Sequence, residues 1–164
     1  MLRVGLGYDV HAFSPGRALV LGGVTIPYRL GLEGHSDADV LAHALADACL
    51  GALRRGDIGK LFPDDDPAYE GADSLVLLRE VADLVRADGF HVVDADSVIV
   101  AQAPKISPYR DEMRANLARA LGTGIDRVGV KATTTEHLGA LGRGEGIAAS
   151  AVVLLEKLDD EHDD

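Results

Sequence analysis

The chain has 164 residues, 47% hydrophobic and 26% charged, which is enough to bury a core as one compact domain. Its formal charge of -11 argues against a nucleic-acid partner, and the absence of a long apolar run or an apolar leader argues against a membrane span or a secretory signal. The one cysteine, Cys49, cannot form an internal disulfide, which fits a reducing, cytoplasmic setting.

In chain order, Leu2 to Leu6 reads as a short apolar strand continued by Tyr8-Asp9-Val10-His11. Ala18 to Ile26 is a second strand region, broken at Gly22-Gly23 and stopped by Pro27. Ser36 can cap a helix that runs to about Leu53, with Val40, Leu41, Ala44, Leu45, Ala48 and Ala52 as its apolar stripe. A second helix is predicted from Ser74, buried through Leu77, Leu78, Val81, Leu84 and Val85 and ended by Gly89. Asp96 to Ala101 reads as a strand, and Ser107-Pro108 opens a third helix that Gly122 closes. Arg127 to Thr135 and Gly146 to Lys157 are the last predicted strands. Interleaved strands and helices imply an α/β fold, an α+β sandwich with a mixed sheet and helices on one face. One domain over residues 1–158 is expected, followed by a solvated acidic tail over 159–164 in which five of six residues are acids.

Asp9 and His11 are the first residues with chemistry to offer. Two apart on an extended segment, they point to the same side and can reach one ion together. His43, on the first helix and off its apolar stripe, is a candidate third ligand. One Asp and two His with a position left open is what a catalytic zinc site requires. Asp39 and Asp47, four residues either side of His43, could each orient its imidazole. The same pattern also fits a surface Asp and a half-buried His.

His35-Ser36-Asp37 stands where a helix begins, and free N–H groups there attract phosphate. Plain capping by Ser36 explains the residues equally well. Lys131-Ala132-Thr133-Thr134-Thr135-Glu136 offers hydroxyls, a cation and a carboxylate that suit phosphate and a hard cation. It also suits the end of a strand, where Thr is favoured. Gly142-Arg143-Gly144-Glu145-Gly146 is a turn first and an anion-binding arginine second. Gly5-Leu6-Gly7-Tyr8-Asp9-Val10 begins like a dinucleotide fingerprint but has Val10 at the third glycine. Phosphate-loop and nucleophile-elbow motifs are missing from the sequence.

These segments recur in one family. Gly7 to Phe13, His35 to Val40 with His43, Gly56 to Asp64, Ala101 to Lys105, Lys131 to Glu136 and Gly142 to Gly146 occur in order over nearly the whole chain. Together they resemble the 2-C-methyl-D-erythritol 2,4-cyclodiphosphate synthase family of the non-mevalonate isoprenoid route.

The resemblance implies that Asp9, His11 and His43 hold one zinc ion per active site. His35 and Thr134 match positions that stabilise the transition state. Glu136 matches the ligand of a second divalent ion, magnesium or manganese, which bridges the substrate phosphates near Ser36, Thr133, Thr135 and Arg143. Asp57, Ile58 and Gly59 match the sugar-hydroxyl contacts. Phe62, Pro63, Asp64, Asp65 and Asp66 flank the erythritol phosphate end. Ala101, Gln102, Ala103, Pro104, Lys105, Ile106 and Ser107 match the cytosine pocket. The implied reaction is attack of the substrate's 2-phosphate on the β-phosphorus of its cytidine diphosphate, with loss of CMP. The implied assembly is a homotrimer whose sheets face the threefold axis and whose active sites lie between subunits. Ala140 departs from the family, which has Phe there in many members, beside a cavity on that axis. A metal-dependent nucleotide hydrolase and a non-catalytic zinc module are the alternatives from the residues alone.

Overall fold

Alternation along the N-terminal segment builds one long strand, β1 (Leu2–Ser14), which takes in the expected Leu2 to Leu6 strand and its continuation and runs three residues beyond His11. Gly5, Gly7, Asp9 and His11 face inward, while Leu2, Val4, Leu6, Tyr8 and Val10 face outward and are at least half exposed. The computed structural model describes residues 1–159. The expected acidic tail therefore lies, apart from Asp159, outside the described residues.

The chain next forms a small hairpin, β2 (Leu19–Leu21) and β3 (Val24–Ile26), turning at Gly22-Gly23 as expected. A short strand β4 (Gly31–Leu32) then pairs with the end of β1. Helix α1 (Val40–Leu53) is capped by Asp39, not Ser36. Asp39 wins because its buried carboxylate accepts from Ala42 N–H at 3.1 Å and from Gly22 and Gly23 N–H at 2.9 and 2.8 Å. It therefore ties the hairpin to the helix, and its carboxylate is not a partner of the His43 imidazole. Burial pushes its carboxyl up to about 6, against the pull of those N–H groups.

Helix α1 has no simple apolar stripe. It is buried nearly all round, and its partly open positions are His43, Asp47 and Gly51, a line spaced four residues apart. The helix is wedged between the sheet and the next long helix of the chain. Its approach to β1 is close: a Cβ on Gly7 would stand 1.9 Å from Ala44 O, and one on Gly5 1.8 Å from Ala48 O. Two strand residues rise about 6.7 Å and four helix residues about 6 Å, so these glycines and alanines stay in step. The next inward residue after Gly7 is Asp9, and His43 adjoins Ala44. Backbone contact in the core thus delivers the histidine to the aspartate.

A one-turn helix α2 (Ile58–Leu61) precedes α3 (Ser74–Ala87), which packs on α1. Strand β5 (Phe90–Val100) starts earlier than expected because Asp94 and Asp96 disguise its alternation. Ser107–Tyr109 is a 3-10 turn, and the α-helix α4 (Arg110–Leu121) begins only after it, ending at Gly122 as expected. The predicted strand Arg127 to Thr135 shrinks to β6 (Lys131–Thr133); Ile125–Arg127 is a 3-10 turn. A short helix α5 (Gly139–Gly142) leads into β7 (Gly146–Lys157).

The main sheet is mixed, in the order β4-β1-β7-β5-β6, with β1, β7 and β5 antiparallel and β6 parallel to β5. The expected mixed α/β architecture is what the chain adopts. Among the described residues no helix is long and apolar enough to cross a membrane.

Candidate active site and metal centre

Asp9, His11 and His43 converge as the sequence spacing suggested. Asp9 Oδ2 lies 2.8 Å from His11 Nε2 and 3.1 Å from His43 Nδ1. The imidazoles meet edge to face, with centroids 5.5 Å apart. The three side chains are 26%, 21% and 12% exposed, so the cluster opens to solvent on one side only.

The outer nitrogens decide what the inner ones can do. His11 Nδ1 stands 2.7 Å from the Glu33 carbonyl, which can only accept, so Nδ1 carries hydrogen. His43 Nε2 is engaged at 2.8 Å by Ser74 Oγ and at 3.2 Å by Ser36 Oγ. Neutral imidazoles then aim lone pairs at a carboxylate oxygen. Three lone pairs at these distances repel unless protons or a cation stand among them. Ligands of a tetrahedral zinc, each about 2.0–2.1 Å from the ion, are about 3.3 Å apart, close to the spacing here. The donor set therefore fits a divalent metal.

Electrostatics agree. Burial raises the Asp9 carboxyl, but hydrogen bonds and charge from His11 and His43 outweigh it and hold the group at about 2. Burial lowers His11, yet Asp9, the Glu33 carbonyl and Asp64 together raise it above its ordinary value. Both shifts favour positive charge among the three ligand atoms.

Other predicted residues gather on the same side. His35 Nε2 is 2.9 Å from Asp66 O, which joins His35 to the loop Phe62 to Asp66. Phe62 is buried against Tyr69, anchoring that loop. Asp57 caps α2 by accepting from Lys60 N–H, and Ile58 N–H donates to Asp47 at 2.8 Å. Asp47 therefore fastens the Asp57-Ile58-Gly59 segment and does not orient His43. Its carboxyl is raised, first by burial and then by Asp57 and Asp9, against the Ile58 N–H. Ser36 is buried and accepts from Ala38 N–H beside His43. Arg17, absent from the sequence reading, donates to the carbonyls of Gly34 and Ser36 and so clamps the His35 turn.

A second cluster lies at the other edge of the sheet. Ala101 to Ser107 and Ala132 to Thr134 line a cavity of about 370 Å³, with a cis bond between Ala103 and Pro104. Gln102 Oε1 accepts from His137 N–H at 3.1 Å, and Lys105 is exposed at the rim. Thr134 Oγ accepts from Glu136 N–H at 3.1 Å, and Thr135 Oγ donates to Leu138 O at 2.7 Å. Glu136 and His137 both have left-handed backbones, φ 51° and 65°. Thr133, Thr134 and Glu136 are exposed, and Arg143 pairs with Glu145 at 2.7 Å. Strands β7 and β5 separate β6 from β1, a span of three strand spacings or about 14 Å. Within one chain, Thr134 and Glu136 are not brought to the metal cluster.

A mixed α/β fold that aims one carboxylate and two imidazoles at a common point defines an α/β protein with a candidate metal site. The chain belongs to the YgbB family, whose model matches residues 2–156. It is 60% identical over 157 residues to the 2-C-methyl-D-erythritol 2,4-cyclodiphosphate synthase of Geobacillus kaustophilus (strain HTA426), covering 96% of this chain and 99% of that one. A solved 2C-methyl-D-erythritol-2,4-cyclodiphosphate synthase in its CDP-bound form superposes with a TM-score of 0.86 at 42% identity, over 94% of this chain and 100% of that one. The bifunctional IspDF from Campylobacter jejuni gives a TM-score of 0.93 at 45% identity; 97% of this chain matches, and it spans 43% of that protein.

Proposed function

We propose that this protein is a phosphorus–oxygen lyase. It converts 4-diphosphocytidyl-2-C-methyl-D-erythritol 2-phosphate to 2-C-methyl-D-erythritol 2,4-cyclodiphosphate with release of CMP, in the cytoplasmic non-mevalonate route to isoprenoid precursors. The observation that carries the reading is the convergence of Asp9, His11 and His43 on one point, in a chain 60% identical to a synthase of that name. The CDP-bound relative supports a cytidine diphosphate substrate.

Asp9, His11 and His43 would hold zinc, and Glu136 would hold magnesium or manganese beside the substrate phosphates. When bound, these ions supply the positive charge that lets one phosphate approach another. The 2-phosphate oxygen is already anionic, so the chain needs no strong base. Its task is to hold the nucleophile in line with the departing CMP. His35, fixed by the Asp66 carbonyl and the Arg17 clamp on its turn, is placed to donate to a phosphate oxygen. Thr134 and the backbone at Thr133 to Glu136 do the same for the diphosphate. Asp57 and Gly59 bind the diol, and the Ala101 to Ser107 cavity binds cytosine through backbone groups.

Two features support a homotrimer with shared active sites. The outward face of β1 is a row of exposed Leu2, Val4, Leu6, Tyr8 and Val10, continued by Val152 on β7, an apolar patch that a partner subunit would cover. The half-site at β6 and the metal cluster at β1 lie too far apart in one chain to hold one diphosphate, but neighbouring copies can supply one half each. Residues 1–158 are read as one domain.

The deciding experiment incubates purified protein with the cytidyl substrate, zinc and magnesium, and follows phosphorus NMR. A cyclic diphosphate plus CMP is expected. Two linear phosphates would make the protein a hydrolase, and no CMP under any metal condition would leave a non-catalytic metal-binding protein.

A further inference from the structure

The tautomer of His43 is controlled from outside the metal cluster. Ser74 Oγ lies 2.8 Å from His43 Nε2, and its hydroxyl also donates to Asp37 Oδ1. A hydroxyl has one proton, and a carboxylate can only accept. With that proton given to Asp37, Ser74 Oγ can only accept from the imidazole. His43 Nε2 must then carry the hydrogen, which leaves the Nδ1 lone pair directed at Asp9 Oδ2, 3.1 Å away.

Both relay members are fixed in place. Asp37 Oδ2 accepts from Ser74 N–H at 3.0 Å, and Oδ1 accepts from Asp39 N–H at 3.1 Å. Ser74 is 1% exposed, although it opens a helix at the surface of the fold. Its hydroxyl is not needed to cap α3, because Asp73 does that by accepting from Leu75 N–H. Ser36 Oγ accepts from Ala38 N–H at 3.2 Å and keeps its own proton, which Ser74 Oγ 3.5 Å away can accept; at 3.2 Å from His43 Nε2 it is the more distant partner of the imidazole.

We infer that Ser74 and Asp37 are positioning residues for the metal centre: Asp37 aims the Ser74 hydroxyl, and the hydroxyl holds His43 as an Nδ1 ligand. The inference rests on the reading of Asp9, His11 and His43 as metal ligands. An outer partner of this kind fixes ring orientation and tautomer, and its loss typically weakens metal binding about 10–100-fold.

The test compares the whole protein with Ser74→Ala, Ser74→Thr and Asp37→Asn. Zinc affinity is read by chelator competition. The His43 tautomer is read by long-range proton–nitrogen NMR on metal-free, histidine-labelled protein at about pH 9, well above the ordinary imidazole value of ~6.5. In the parent protein His43 should be the Nε2–H form. Ser74→Ala should mix the tautomers and weaken zinc about 10–100-fold. Ser74→Thr, which keeps the hydroxyl, should restore both. Asp37→Asn should weaken zinc while α3 stays helical by circular dichroism. Parent-like affinity and tautomer in Ser74→Ala overturn the inference, as does a loss that Ser74→Thr does not reverse. If the parent chain binds no zinc, the metal reading fails, while the tautomer shift still judges the relay.

Discussion

The metal cluster and the β6 half-site are built on opposite plans. Asp9, His11 and His43 are 12% to 26% exposed, and each is held by further groups: the Glu33 carbonyl, Ser74, and the close packing of α1 on Gly5 and Gly7. Thr133 ends an edge strand of three residues, Thr134 and Glu136 follow it, and all three stand exposed, held mainly by their own local turn. A cation site needs fixed donors, because three like lone pairs must be kept at close range against their repulsion. A diphosphate site can stay open until a neighbouring surface and the substrate close it.

That contrast can be broken or sharpened by four changes. The largest effect is expected from His43→Ala. It should abolish zinc retention, read by atomic absorption on desalted protein, and lower cyclisation by more than about 10³-fold, the several kcal/mol a Lewis acid supplies. Full turnover by a zinc-free variant would overturn the assignment.

Next comes Gly7→Ala, which touches no ligand. Its methyl would meet Ala44 O at 1.9 Å, so α1 must lift from β1. Overpacking of this kind costs about 3 kcal/mol, and a denaturant melt should show it together with weakened zinc binding. An unchanged zinc affinity would mean that His43 is not delivered by this contact.

Thr134→Ala tests the open half-site. Turnover should fall about 10²-fold, as for loss of one transition-state donor, while zinc content and melting stay at the parent level. Loss of zinc in this variant would contradict the division between the two regions.

The smallest effect concerns protons. Burial lowers His11, but the hydrogen bond and charge of Asp9 raise it above its ordinary 6.5, and the Asp9 carboxyl lies at about 2, so as pH falls His11 is the first ligand at which a proton competes with zinc. Zinc affinity should therefore be full at high pH and fall as pH drops through the raised His11 value, about tenfold per unit for each proton displaced. Asp9 adds no further loss until far more acidic conditions. Chelator competition at several pH values measures the slope, and a flat profile would exclude competition by protons.

The sequence by itself carried the convergence of Asp9, His11 and His43, because two residues on a strand share a face whatever the fold around them, and His43 stood off the apolar positions of its helix. It also carried the break at Gly22-Gly23, the start of α3, the end of α4 and the last strand, where turn residues and alternation are local signals. It did not carry the roles of Asp39 and Asp47. Both are spaced to reach His43, but one is claimed by a hairpin 16 and 17 residues away and the other by Ile58 N–H. Nor could it find Ser74, 31 residues from His43, or the Arg17 clamp, since hydrogen bonds between distant segments leave no periodicity. Local pattern fixes which way a side chain points from its own element. Only the packing of α1 on β1 and α3 decides which donors face it, and therefore which atom of His43 is free to bind a metal.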